Sequence, residues 1–394
     1  MAHTQELWII GNGFNKALAQ TEQFSEVASA INDIANLWSE FDGLVGEIQE
    51  QLKKDTGHTF PDEKIVEFIF TVLHALESKD IFQTMIHQYC FNILFAKFSK
   101  SLSDKLLSVA RNFINIENKE FYSSISRLLD SDFLSYWQQR REKVPTTLIT
   151  TNYDGIIDTV FARDKQGHFG KGGMGDYFRS CDSDKHISSC TQEYVNGLGD
   201  QQWRGVGFCF NDFAYLESSM KLFTGTLLHL HGSYKFWKHI DSGIELKIDK
   251  SATGAFMDCI ENDNWFPMVV FGPPSQKLQT IGKYKTLQAH YSSLKYILTG
   301  WSSSDKGKQS SSQIKLVIWG TKFNSDPHLL ELLKSAIGSP KSNINEVVIL
   351  LSNETSAKSL FKNLTSNTSH PSKPSFRYVS FSNSQNLLDV VKVI

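Results

Sequence analysis

The sequence lacks the features that define several large classes of protein. Its five cysteines are an odd number and no two have Cys-x-x-Cys spacing, so neither a disulfide framework nor a zinc ribbon is indicated. No apolar run approaches the roughly 18 residues of a membrane-spanning helix. The first residues show no charged-then-apolar signal pattern. These absences predict a cytoplasmic protein with reduced thiols and no membrane association.

An excess of charge of one sign is also lacking. Lysine and arginine total 40 against 42 aspartates and glutamates, which gives a formal net charge of −2. Proteins that bind nucleic acid usually carry a basic excess, so direct nucleic-acid binding is not expected. Hydrophobic residues make up 40% of the 394 residues, and 28 are phenylalanine, enough to form a sizeable core.

Proline and glycine are scarce in one long stretch of the chain. Residues 20–143 contain a single proline, Pro61, and apolar residues recur there at three- and four-residue steps, as in "IVEFIFTVLHALES" and "MIHQYCFNILFAKFSKSL". This spacing predicts helices. The preceding "ELWIIGNGF" is typical of a short buried strand that ends in a glycine turn. The stretch therefore predicts a large α-helical insertion after the first strand.

Strand character returns after residue 144 and alternates with helical patterns. The predicted strands are "VPTTLITTN", "TLLHLHG", "WFPMVVFG", "IKLVIWG", "NEVVILLSN" and "FRYVSF", whereas residues 164–225 are glycine-rich and irregular. Near-continuous apolar strands with helices between them predict a mostly parallel sheet covered on both faces. We therefore expect a doubly wound α/β domain formed by residues 1–19 and 144–394, with residues 20–143 as the helical insertion.

Polar residues or glycines follow five of the predicted strands. In such sheets ligands bind at the carboxyl ends of the strands, where the strand order reverses. Each of these ends alone fits an ordinary turn or helix cap, and Asp326 with Pro327 also fits a helix start. Their coincidence on one edge predicts a ligand site. The residues are Gly11, Asn12, Gly13 and Phe14; Thr151, Asn152 and Asp154; His231; Gly320 and Thr321; and Asn353.

His229 and His231 are two residues apart, which predicts that they share one side of a strand. Three interpretations stay open. The pair can be packed and hydrogen-bonded, it can contribute to a metal site of a nuclease or phosphoesterase, or His231 can be a general base, because imidazole titrates near neutral pH. No nearby set of cysteines, histidines and carboxylates completes a metal site in the sequence, so no metal is expected.

The order of these motifs resembles the NAD-binding core of sirtuins. "LITTNYDGIID", "LLHLHGSYKFW" and "LVIWGTKFNSDPHLLELL" resemble the bacterial sirtuin-like proteins of anti-phage defence more closely, and "WIIGNGFNKAL" is similar to the related abortive-infection H family. The resemblance covers residues 7–15 and about 147–353. It implies a Rossmann-like domain and an NAD⁺ glycohydrolase that depletes NAD in an infected cell, with NAD⁺ as substrate and no further cofactor.

The resemblance also implies a role for each matching position. Gly11 and Gly13, within Gly11–Phe14, would approach the pyrophosphate. Asn152, which follows Thr151, would hold the nicotinamide ribose and the attacking water, with Asp154 supporting the pocket and His231 as the base. Thr321, after Gly320, and Asn353 would face the adenosine half.

The sequence departs from the sirtuin pattern in two places. Cys181 and Cys190 cannot supply the four-cysteine zinc module of protein deacylases, and Gly-Asn-Gly-Phe replaces the usual Gly-Ala-Gly-x-Ser loop. Both departures argue against protein deacylation. The alternative function is a non-catalytic or partner-gated nucleotide-binding subunit of a larger defence complex, because proteins of the resembled group form homo-oligomers, some with a HerA-type ATPase.

Overall fold

A computed structural model describes residues 4–36, 39–59, 119–162, 174, 178–180, 206–209, 225–239, 243, 245–248, 265–270, 277–299, 313–366, 374–381 and 385–394. The strands are β1 Thr4–Ile10, β2 Thr146–Thr150, β3 Phe178–Ser180, β4 Val206–Cys209, β5 Gly225–His229, β6 Gly232–His239, β7 Glu245–Ile248, β8 Trp265–Val269, β9 Gln313–Trp319, β10 Ile344–Leu350 and β11 Ser375–Tyr378. The α-helices are α1 Gly13–Ala19, α2 Ala28–Asn36, α3 Ser39–Thr56, α4 Lys119–Leu128, α5 Ser131–Lys143, α6 Ile156–Phe161, α7 Lys277–Ile281, α8 Lys285–Thr299, α9 Pro327–Gly338, α10 Glu354–Leu364 and α11 Leu387–Val393. A 3₁₀ helix covers Glu22–Val27.

Six of the strands form a parallel sheet with the order β11-β10-β9-β1-β2-β5. The chain enters at the centre with β1 and builds outward through β2 to β5. It then returns to β9, on the other side of β1, and builds outward again through β10 to β11. The strand order therefore reverses between β1 and β9: parallel strands up to β5 are added on one side of β1, and parallel strands from β9 onward on the other. The predicted α/β fold with a mostly parallel sheet is confirmed.

Both faces of this sheet are covered because its central strands carry apolar side chains on both sides. In β1, Trp8 and Ile10 belong to one core and Leu7 and Ile9 to the other. The first core contains residues of α1, α2, α4, α5, α6 and α11, and the second contains residues of α8, α9 and α10. Burying one large apolar side chain of this kind contributes about 1.5–3 kcal/mol.

Aromatic residues anchor the helix that leads into β2. The rings of Trp8 and Trp137 meet edge to face with centroids 5.3 Å apart, and the Trp137 Nε1–H donates to the Phe161 carbonyl at 2.7 Å. A buried indole N–H needs such a partner. These contacts tie α5 and α6 to the first strand, and so fix where β2 ends.

Between β1 and β2 the regular elements among the described residues are all helices, and the extent of the predicted insertion stays a prediction. Residues 60–118 of that insertion, with "IVEFIFTVLHALES" and "MIHQYCFNILFAKFSKSL", lie outside the described residues. Within the described ranges, no helix combines the length and the apolar character needed to cross a membrane.

A second sheet of antiparallel strands has the order β3-β4-β7-β6-β8 and takes two strands from before β5 and three from after it. The prediction assigned "WFPMVVFG" to the parallel sheet, but this segment is β8 and pairs antiparallel with β6. The chain passes from the parallel sheet to the antiparallel sheet at Gly232. The φ of Gly232 is +78°, and a Cβ there would lie 1.8 Å from the Met268 carbonyl oxygen. Only glycine fits this turn, which directs the chain out of the parallel sheet directly after His231.

Candidate functional site at the carboxyl edge of the parallel sheet

The loops after β1 and β9 pack against each other through glycines. The N–H of Gly13 donates to the Gly320 carbonyl at 2.9 Å, and the N–H of Phe14 donates to Gly11 at 2.9 Å. A Cβ on Gly13 would lie 2.7 Å from both the Cα and the carbonyl oxygen of Gly320. The glycines therefore permit close contact between two loops. The two N–H groups at Gly13 and Phe14 bond within the protein, although the sequence suggested that this loop faces a pyrophosphate.

Two other residues predicted in the glycine loop have different surroundings. The Phe14 side chain is fully buried and packs in the core against Trp319 and Phe161, with ring centroids at 4.8 and 5.5 Å. Asn12 is exposed at the N-cap position of α1 and makes no side-chain cap hydrogen bond. Of these two side chains, only that of Asn12 is accessible to a ligand in this structure.

Thr321 and Asn353 make local backbone contacts. The Thr321 hydroxyl accepts from the Phe323 N–H at 3.2 Å. Asn353 is exposed, and its side chain accepts from the Ser356 N–H at 2.8 Å as the N-cap of α10. The simpler of the two interpretations of Asn353, a helix cap, accounts for its position.

Asn152 and Asp154 belong to a buried set that we call the asparagine cluster, together with Asn15. The Asn15 Nδ2 donates to Asp154 Oδ2 at 2.7 Å, and the Asn152 Nδ2 approaches Asn15 Oδ1 at 3.3 Å. Burial raises the pKa of Asp154, which also accepts from the Ile156 N–H at 2.9 Å. Sequence reasoning missed Asn15, because it lies on α1, far from its partners in the chain.

The two histidines of "LHLHG" contact different carboxylates. The Nε2 of His229 lies 3.2 Å from Asp158 Oδ2, and the Nε2 of His231 lies 3.1 Å from Asp326 Oδ1. The prediction that they share one side of a strand is wrong, because β5 ends at His229. In the described part of the chain, the group with metal-ligand spacing contains His231 but not His229.

His231 forms a second buried set, the histidine cluster, with Lys277, Asp326 and His328. The Lys277 Nζ lies 2.7 Å from Asp326 Oδ1, the same oxygen that faces His231. Asp326 and Pro327 begin α9 as predicted, but the Asp326 carboxylate makes no cap hydrogen bond. Sequence reasoning therefore found the helix start and missed its contact with His231. It did not find Lys277 or His328.

The turn between β9 and α9 positions Asp326. Gly320 and Phe323 both have positive φ, +71° and 60°. Such a conformation is uncommon for a residue with a side chain and persists where its surroundings hold it. Phe323 is buried in the second core, and its carbonyl accepts from the Asp326 N–H at 2.9 Å. Packing of one aromatic ring thus holds the residue that places the carboxylate.

In the histidine cluster the pKa values of both imidazoles and of the carboxyl group beside them are lowered. Burial lowers the pKa of His231, more than its contact with Asp326 raises it. Burial also lowers the pKa of His328 to about 4, helped by the charges of His231 and Lys277. For Asp326, burial favours the neutral form, but His231 and Lys277 together bring the pKa of this carboxyl well below its usual range.

His231 and Asn152 lie at the ends of neighbouring strands. The His231 ring hydrogen-bonds the backbone carbonyl of Thr151, the residue before Asn152. The Tyr153 ring stacks on His231 with centroids 6.1 Å apart, and its hydroxyl donates to the Val270 carbonyl at 2.8 Å. Asn152 is 5% and His231 2% exposed, so both predicted catalytic side chains are buried.

The chain matches no protein-family model, and a search of curated proteins gives no match.

Proposed function

We propose that this chain is an NAD⁺ glycohydrolase that releases nicotinamide. The observation that carries the proposal is the hydrogen bond from the His231 ring to the Thr151 carbonyl, which joins the candidate base to the strand end that bears Asn152. A neutral imidazole held in this way by one nitrogen presents the other, Nε2, as a proton acceptor. Nε2 faces Asp326 at 3.1 Å.

Each group has a role in cleavage of the N-glycosidic bond. Neutral nicotinamide leaves with the bonding electron pair, the ribose acquires oxocarbenium character, and water adds to its anomeric carbon. Asn152 orients the ribose and the water, and His231 accepts the released proton at Nε2. Asp326 stabilises the imidazolium that results, as a carboxylate does beside a catalytic histidine. The products are ADP-ribose, nicotinamide and one proton.

The strand order supports a dinucleotide as the substrate. Numbered by their order along the chain, the six parallel strands run 6-5-4-1-2-3, which is the Rossmann order of dinucleotide-binding sheets. The candidate residues lie where that fold binds its ligand, beyond the carboxyl ends of the strands. The glycine loop offers little to the phosphates, because its N–H groups at Gly13 and Phe14 are bonded internally.

The test is nicotinamide release from NAD⁺ by the purified chain without added metal. Asn152→Ala and His231→Ala should each reduce the rate at least about 100-fold, the usual contribution of a positioned acid–base group. Two matched variants control for the loss of an asparagine and a histidine. Asn345→Ala removes an exposed asparagine from the amino edge, and His58→Ala removes an exposed histidine. Full activity of His231→Ala would refute the role of that histidine.

The closed site favours a second candidate, a nucleotide-binding subunit that a partner opens. Asn152 and His231 are almost wholly buried and hydrogen-bonded within the chain. An NAD analogue that binds without turnover, with turnover restored by a HerA-type ATPase or by homo-oligomer formation, would favour this candidate. The resemblance supports a role in anti-phage defence for either activity. Loss of protection against phage in cells expressing Asn152→Ala would support that setting.

A further inference from the structure

The histidine cluster contains three groups at metal-ligand spacing. One ring nitrogen each of His231 and His328 and one carboxylate oxygen of Asp326 lie within 4.8 Å of one another. In a tetrahedral zinc site, with metal–nitrogen bonds of about 2.0–2.1 Å, adjacent ligand atoms are about 3.4 Å apart. His231 Nε2 and Asp326 Oδ1 are at 3.1 Å, so they already have nearly this spacing, and a His328 ring nitrogen lies within 4.8 Å of both ligand atoms.

The environment of His231 suits a metal ligand. A metal-binding histidine usually donates its other ring N–H to a backbone carbonyl or carboxylate, which fixes the tautomer and the ring orientation. His231 has this support from the Thr151 carbonyl. The hydrogen bond leaves a lone pair on Nε2, the nitrogen that faces Asp326.

His328 supplies an independent observation. Both of its ring nitrogens are buried, and neither has a hydrogen-bond partner among the described residues. Leaving a buried polar group without a partner is costly, so an imidazole in this position is explained best by a ligand that binds it. Its ring centroid lies 6.0 Å from that of His231.

Lys277 opposes a metal ion at this position. Its Nζ lies 2.7 Å from Asp326 Oδ1 and so already supplies a positive charge to the carboxylate. The start of α9, where Asp326 lies, also favours negative charge over positive. A metal ion must therefore displace Lys277 from Asp326, and removing the lysine charge should strengthen metal binding.

We propose that His231, Asp326 and His328 bind a divalent transition metal of the zinc type, in competition with Lys277. Two imidazoles and a carboxylate are a ligand set that zinc accepts, with a fourth position left for water. Binding of the metal does not depend on the proposed NAD⁺ hydrolysis. If that proposal holds, zinc occupies the Nε2 of His231 and inhibits nicotinamide release.

The probe is Co²⁺, added to the full chain after treatment with EDTA and removal of the chelator. We expect a visible absorption band that saturates near one equivalent and that Zn²⁺ abolishes. The band should be lost in Asp326→Ala and His328→Ala and kept in His58→Ala, whose histidine is exposed and distant in the chain. Lys277→Met should lower the Co²⁺ dissociation constant about tenfold or more, because it leaves the buried Asp326 charge without its partner.

The Lys277→Met variant distinguishes a direct effect on the metal site from misfolding, because a misfolded protein is not expected to bind the metal more tightly. Circular dichroism checks the fold of each variant. The proposal is overturned if the parent gives no band, if the band survives loss of Asp326 and His328, or if Lys277→Met weakens binding. Because the measurement is spectroscopic, metal binding without NAD⁺ hydrolysis would leave this proposal intact while refuting the proposed function.

Discussion

Glu6, near the amino end of β1, and Asp326, beyond the carboxyl end of β9, are both buried carboxylates, and their partners differ. The Arg140 guanidinium binds both oxygens of Glu6, at 2.7 and 3.0 Å, and the Trp8 Nε1–H donates to Oε2 at 3.0 Å. The remaining Arg140 nitrogen donates to the Val391 carbonyl at 2.9 Å. Bidentate charge-assisted bonds of this kind fix the geometry of both partners.

At Asp326, by contrast, a single oxygen contacts both Lys277 and His231, and His328 stands beside it with two unpartnered nitrogens. The Glu6 carboxylate is thus bonded at both oxygens, whereas the buried ring nitrogens of His328 leave bonding capacity unused. This difference agrees with our proposal that the amino edge stabilises the fold while the carboxyl edge binds a ligand. Four predictions test this comparison.

The largest expected effect is loss of the amino-edge pair. Glu6→Ala leaves the Arg140 charge buried without its partner and should lower the free energy of unfolding by about 3–5 kcal/mol. Urea denaturation measures the change. Lys358→Ala is the control, because its ion pair with Glu354 is exposed and should be worth less than about 1 kcal/mol. Equal losses in the two variants would show that the Glu6 pair does not stabilise the fold.

The contact between the glycine loops should come next. Gly13→Ala places a methyl group 2.7 Å from the backbone of Gly320, and overpacking of this kind costs about 1–3 kcal/mol. Gly46→Ala is the matched control, because Gly46 lies in α3 with no atom within 4 Å of an added Cβ. It should stabilise the protein by about 0.5–1 kcal/mol. Similar effects at both positions would contradict the close contact.

A third prediction concerns how stability depends on pH through His328, at the carboxyl edge. The pKa of His328 is lowered to about 4 in the fold, against about 6.5 for an unfolded chain. Between these values the unfolded state binds more protons than the folded state. Stability attributable to His328 should therefore fall as the pH falls from about 6.5 to 4, by at most about 1.4 kcal/mol per pH unit. Denaturation in EDTA across this range measures it.

The comparison for this prediction is His328→Leu, which removes the titrating group and the unpartnered nitrogens. The variant should lose less stability than the parent between pH 6.5 and 4, and it should be about 1 kcal/mol more stable at neutral pH. Such a gain would identify His328 as a residue retained at the expense of stability, as residues of functional sites often are. Parallel pH curves for parent and variant would contradict a buried neutral His328.

The smallest effect is expected at Asn353. If its role is to cap α10, Asn353→Ala should cost about 1 kcal/mol and Asn353→Ser little, because a serine hydroxyl also accepts from the helix N–H groups. Thermal unfolding of the two variants measures the difference. Equal destabilisation by alanine and serine would indicate that Asn353 does more than cap the helix.

The parallel sheet was predictable because each of its central strands is a short, uninterrupted apolar segment of the sequence. "ELWIIGNGF" begins two residues inside β1 and "IKLVIWG" one residue inside β9, and burial on both faces shows in the sequence as an uninterrupted apolar run. The second sheet was not predictable in the same way. Strands β3 and β4 are only 3 and 4 residues long and lie in a glycine-rich stretch with no alternating pattern.

The candidate site was predictable at the strand ends and not on the helices that face them. Asn152 and His231 follow apolar runs, where a polar side chain is conspicuous. Asn15, Lys277 and His328 lie on helices, where polar residues are common. The partners of Asn15 and Lys277 are 139 and 49 residues away in the chain, and the ring nitrogens of His328 have no hydrogen-bond partner among the described residues. Local sequence carries no information on such contacts. Asp326 shows the problem most clearly, because a helix start explains its presence without any reference to His231.

The glycine contact between the loops after β1 and β9 has a consequence for how this protein can vary. Gly11, Gly13 and Gly320 leave no room for a single methyl group between the two loops. Substitution of these glycines in the loops after β1 and β9 is therefore poorly tolerated. Substitutions at the exposed Asn12 and in the turn at Asn353 should be tolerated better. If the proposed function holds, altered substrate preference would have to arise around β2, β5 and the start of α9, where side chains rather than bare backbone meet.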